Sequence, residues 1–103
     1  MEVAAKTLDE LKKEHGDVQT LTLKDKAGNV VAVAHLKEPG RSVVARSMSL
    51  IAQNKPMEAG EFILENCFVG GNDQVLTNEK LKMSAAMQVI ALVELLDGEL
   101  KKN

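Results

Sequence analysis

The sequence predicts an α+β fold: an N-terminal helix and a β-hairpin, followed by a three-helix C-terminal body. Three observations point to it. Two runs of period-two alternation flank the turn signal Asp25-Lys26-Ala27-Gly28-Asn29. The segment from Lys55 to Asn72 opens with a proline, carries both aromatic residues (Phe62 and Phe68) and the single Cys67, and stops at Gly70-Gly71. Beyond it, apolar residues recur at helical spacing from Leu81 to Leu96. The whole chain, 1–103, reads as one domain, with the first helix in 1–16, the hairpin in 17–38 and the helical body in 42–103.

Helix one follows Thr7, because Glu10 stands three residues on and completes a capping box. Leu8 and Leu11 form its short apolar stripe, which Val3 or Ala4 would extend. Gly16 suits the position just past its end, and Lys12, Lys13 and His15 put positive charge in the last turn, where the helix dipole favours it. Strands are expected at about 18–24 and 30–37, where Gln19-Leu21-Leu23 alternates with Thr20-Thr22-Lys24 and Val31-Val33-His35 with Val30-Ala32-Ala34-Leu36. Two strands alone are rarely stable. Helices must therefore cover one face, or a third strand must come from another copy or a partner.

Glu38-Pro39-Gly40-Arg41 breaks the second strand. Ser42 is then the expected cap of a second helix, to about Asn54, with Val44, Met48 and Ile51 on one face and Val43, Ser47 and Leu50 beside it. Lys55-Pro56 ends it and starts helix three, since proline restrains the residue before it and suits the first helical position. Helix three is expected to run to about Phe68 with Ala59, Phe62, Ile63 and Cys67 on its stripe, and Gly70-Gly71-Asn72-Asp73 to be a loop. Thr77 or Asn78 can cap a fourth, longest helix from about Glu79 to Leu100, with Leu81, Ala85, Ala86, Val89, Ile90, Val93 and Leu96 on its apolar side, broadened by Leu92 and Leu95, and with Lys101-Lys102-Asn103 after it.

Composition narrows the function classes. A net charge of −2 with both signs dispersed argues against a nucleic-acid surface, where a basic patch supplies most of the affinity. Two phenylalanines with no Trp or Tyr are too few for stacking single-stranded bases. No apolar run approaches the ~20 residues of a membrane-spanning helix. The N-terminus has no signal-peptide pattern, and a lone cysteine does not point to an oxidising compartment. The expected location is the cytoplasm, with no nucleic acid and no membrane among the partners.

No catalytic constellation stands out. His15 at a helix end and His35 on a strand suit structural positions. Cys67 lies near a helix C-terminus, where the dipole disfavours a thiolate, and reads as a small buried hydrophobe. Glu58, Glu61 and Glu65 share a helix side, as on any solvated face. Gly71-Asn72-Asp73-Gln74 lacks the acidic alternation of a calcium loop, and no phosphate-binding glycine motif is present. No enzyme activity, cofactor or metal site is therefore expected. The five methionines carry more information as surface, because methionine recurs on grooves that accept apolar helices. Plain core packing competes with a partner-binding groove, which would centre on Met48, Ile51, Met83, Met87 and Ile90 of the second and fourth helices.

Lys37-Glu38-Pro39 with Arg41 after the second strand, Lys55-Pro56 at the elbow, and Glu65-Asn66-Cys67 leading into Gly70-Gly71 span most of the chain. In this order, between a hairpin and a long terminal helix, they resemble small tail assembly chaperones of tailed bacteriophages and prophages. The resemblance implies a non-enzymatic protein that binds the tape-measure polypeptide, a long and largely helical chain, before and during tail assembly. It identifies no individual binding residue. A small structural tail or head-completion component, and a regulatory interaction module unrelated to phage, are the other readings, and a homo-oligomer is compatible with all three.

Overall fold

The computed structural model describes residues 7–93. The order is α1 (Leu8–His15), β1 (Val18–Lys24), β2 (Val30–Lys37), α2 (Arg41–Ala52), α3 (Pro56–Cys67), β3 (Phe68–Gly71), α4 (Gln74–Thr77), α5 (Glu79–Val89) and a 3₁₀ turn at Ile90–Val93. The α+β class and the general layout are as the sequence predicts. The proposed extension of α1 by Val3 or Ala4, and the end of the terminal helix with Leu95, Leu96 and Lys101-Lys102-Asn103, lie outside the described residues.

The hairpin follows the alternation of its sequence. Val18 pairs with Lys37 and Leu23 with Ala32, with a register shift where Lys24 meets Val30. Leu23, Ala32, Ala34 and Leu36 are buried on one face, and Leu21 packs beside them. The turn is held by Asp25, whose carboxylate accepts the N–H groups of Ala27 and Asn29, both at 2.9 Å. Gly28 takes φ +87°, a conformation that most side chains resist.

A third strand comes from the chain itself, and this corrects the expected loop at Gly70-Gly71. The backbone leaves α3 at Phe68 in an extended conformation and runs antiparallel to β2, with His35 opposite Gly70 and Ala34 opposite Gly71. The sheet order is β1-β2-β3. Gly71, at φ +105°, is needed because an added Cβ would overlap the Val33 carbonyl oxygen. Asn72 fastens the strand end: its N–H donates to the Val33 carbonyl at 2.8 Å, and its Oδ1 accepts the Val33 N–H at 2.7 Å. A glycine pair after a helix carries the same signal for a C-cap and for a close strand approach, so the sequence could not separate them.

Other boundaries shift for local reasons. Gly40, extended at φ −74° and ψ 172°, is the residue before α2, and no side chain caps that end, so Ser42 is not the cap. The helix stops at Ala52 in a Schellman motif. Asn54 takes the left-handed φ of +63°, its N–H donates to Ile51 O, and the Lys55 N–H reaches back to Leu50 O, both at 2.9 Å. Pro56 then opens α3 at the elbow. The predicted fourth helix starts at Glu79 as expected, with Asn78 as its cap accepting the Leu81 N–H at 3.0 Å, but it tightens to a 3₁₀ turn at Ile90; a single turn, α4, stands before it.

The core lies between the sheet and the helices, where Ile63, Leu64 and Cys67 of α3, Val75 of α4, and Ala85 and Val89 of α5 meet the inner face of the sheet. The inward side of α2 is Ser47 and Leu50, with Val43 and Val44 partly buried against the core. Ser47 is buried because its hydroxyl donates to the Val43 carbonyl at 2.7 Å. Phe62, expected on the buried stripe of α3, is only half-buried, and Gly60 and Leu64 take the inner positions. On the opposite face of the sheet, α1 docks through buried Leu11, whose Cδ1 lies where a Cβ on Gly70 would point.

Candidate functional site

The five residues proposed as a binding surface stand on α2, on α5 and, for Ile90, on the 3₁₀ turn after α5, all of which pack against α3. Burying Ser47 and Leu50, with Val43 half-buried beside them, turns Met48 and Ile51 outward from α2, at 45% and 39% exposure. Burying Ala85, Ala86 and Val89 turns Met83 and Met87 outward from α5, at 47% each, while Ile90 is half-buried at the start of the 3₁₀ turn. The spacings, three residues on α2 and four on α5, keep each pair on one side of its helix. Among the described residues, seven large apolar side chains are exposed, and these four are among them; the others are Leu8 of α1 and Val30 and Val31 at the hairpin tip.

α3 supports both pairs. It crosses α5 closely at Gly60, where an added Cβ would overlap the Ala86 carbonyl oxygen and come within 3.0 Å of Ala86 Cα. Beside this contact, Lys82 of α5 reaches Glu65 Oε1 at 2.9 Å and Glu61 Oε2 at 3.9 Å. The hydrogen bond that Lys82 donates to Glu65, reinforced by both carboxylate charges, raises the Lys82 pKa. The acidic row on α3 thus has a lysine partner that sequence reading missed, because the pairing joins residues 17 apart on different helices. The same carboxylates, with Arg46, Leu50, Glu58 and Phe62, line a shallow depression between α3 and α2.

The chemistry-bearing residues do not converge. Cys67 is buried in the core on the inner face of the sheet, and that burial raises its thiol pKa against a smaller opposing effect of Lys37. His35 projects from the outer face, where its Nδ1 lies 2.9 Å from Thr20 Oγ1. His15, at the end of α1, has Glu14 3.6 Å away. The sheet therefore separates the thiol from His35. Among the described residues no group of three or more His, Cys, Asp and Glu side chains is placed to hold a metal ion. Among the same residues no helix is long and apolar enough to cross a membrane.

Comparisons with known protein families, with curated proteins and with solved structures give no match.

Proposed function

We propose that this protein acts by binding another polypeptide, with no bond made or broken, and that it serves as a tail assembly chaperone holding apolar helical stretches of a tape-measure protein in the bacterial cytoplasm. The observation that carries the reading is the outward placement of Met48 with Ile51 and of Met83 with Met87, on helices whose other faces are packed. Methionine suits a surface that must fit many apolar sequences, because its unbranched, polarisable side chain adapts its shape. Pairs at helical spacing on well-supported helices match the way amphipathic helices are gripped in grooves. The resemblance to phage tail assembly chaperones supplies the class of partner.

The test is titration of the whole protein with a tape-measure fragment. Met87→Glu and Met48→Glu each place a charge on the proposed surface, and each is expected to weaken binding by about tenfold or more, equivalent to at least ~1.4 kcal/mol. Because both side chains point outward, thermal stability should stay close to that of the parent. Undiminished binding by both variants would remove this surface from the mechanism.

Among the described residues β1 stands at an edge of the sheet, which favours a second reading, a small structural tail or head-completion component that self-assembles. Mass spectrometry of purified virions divides the two, since a structural component stays in the particle and a chaperone leaves it.

A further inference from the structure

The geometry points to a second copy of this chain as the partner of the β1 edge, in a two-fold dimer whose sheet runs β3-β2-β1-β1-β2-β3. Among the described residues β1 pairs only with β2. It is seven residues long, has no proline, and carries a single charge, at Lys24. Three of the devices that blunt an edge strand (prolines, short length, inward-pointing charges) are missing from it, and the lysine and the register shift stand only at its last residue, Lys24.

Which backbone groups are free follows from the ladder. Both polar backbone groups of Val33 point toward β3, since its carbonyl accepts the Asn72 N–H and its N–H donates to Asn72 Oδ1. Backbone groups alternate in direction along a strand, so those of Ala32 and Ala34 face β1. Their partners are Leu23 and Leu21, whose N–H and C=O groups are thereby used. Thr20 and Thr22 are left with N–H and C=O groups directed out of the sheet.

That pattern selects a register. In an antiparallel pairing of two β1 strands, outward residues must meet outward residues. A two-fold axis through Leu21 satisfies this along the whole strand: Thr20 meets the partner copy's Thr22, Val18 meets its Lys24, and Leu21 meets its own counterpart. The axes through Thr20 or Thr22 leave one end of the strand unpaired. Thr20-Leu21-Thr22 is a palindrome, so the dimer matches hydroxyl with hydroxyl and leucine with leucine, and no charge faces its like within the strand. Leu21 sits in a non-hydrogen-bonded pair, where Cα atoms approach to about 4.5 Å. It is half-buried and lines a depression of about 100 Å³ with Leu36, Val89, Ala91 and Leu92. The counterpart leucine would close that depression from the side and continue the apolar layer across the axis.

The inference does not depend on the chaperone reading, and its test uses the protein alone. Analytical ultracentrifugation of the whole chain should show a concentration-dependent dimer. Thr22→Pro removes an N–H that the β1–β2 ladder does not use, so its circular dichroism should match the parent while the dimer is lost. Hydrogen exchange on the parent gives a reading that no variant can obscure: the amides of Thr20 and Thr22 should be protected at high concentration and lose that protection on dilution. A parent that stays monomeric, a Thr22→Pro variant that folds and still dimerises, or amides whose exchange ignores concentration would overturn the assignment.

Discussion

The Asp25 carboxylate organises the hairpin turn by accepting two backbone N–H groups, and the backbone bond from Asn29 is the largest cause of its lowered pKa. These bonds favour the ionised form, so the folded pKa lies below the ordinary aspartate value of about 3.9. The sign follows: the contribution is complete above the unfolded-state pKa and is lost as pH falls through the folded one. Asp25→Ala should therefore lower the thermal midpoint near neutral pH, and the gap between variant and parent should narrow well below pH ~4. Thermal melts of both proteins across that range check it, and a gap independent of pH would contradict the role. Asp25, Gly28 and Thr7 with Glu10 were all readable in the sequence, because each acts through residues no more than four positions away. Asn72 was not, since its partner Val33 is 39 residues distant.

At the scale of elements, α3 is the member on which the candidate surface rests. It packs against α2 on one side and α5 on the other, and its closest approach is at Gly60. Alanine is ordinarily better than glycine inside a helix by up to ~1 kcal/mol. Here the added methyl would overlap the Ala86 backbone, which no side-chain rotation can relieve, so α3 and α5 must separate. Gly60→Ala is expected to destabilise the protein by about 2 kcal/mol, within the range for overpacked cores. That corresponds to a fall of roughly 10 °C in Tm for a domain of this size. An unchanged or raised Tm would show that the two helices are not in firm contact. Helical periodicity identified α2, α3 and α5, yet on α2 it put Met48 and Ile51, with Val44, ahead of Val43, Ser47 and Leu50; of the first three, Val44 alone packs against the core. The buried serine explains the difference: its hydroxyl is satisfied inside its own helix, so a polar residue could take an inner position.

For the molecule as a whole, the sheet is the partition that matters. It keeps Cys67 with the core on one face and His35 with α1 and Thr20 on the other. A buried thiol with a raised pKa is a poor nucleophile at neutral pH, since it is both protonated and shielded. Alkylation of the folded protein by iodoacetamide should accordingly be slow at neutral pH and should accelerate when denaturant opens the core. Rapid labelling of the native state would revive a catalytic reading of Cys67. Among the described residues the same architecture leaves two kinds of surface uncovered, the outward methionine pairs and the β1 edge of the sheet.

Sequence alone determined the hairpin with its turn, the cap of α1, the proline start of α3 and the amphipathic helices, because those features depend on neighbours within one or two turns of chain. It also singled out the methionines that end up outside. Tertiary structure decided which stripe of α2 faces inward, that Phe68–Gly71 joins the sheet, that Lys82 bridges to Glu61 and Glu65, and that β1 and β3 flank β2. Each of these joins residues far apart in the chain, where the outcome depends on which surfaces meet and not on local preference.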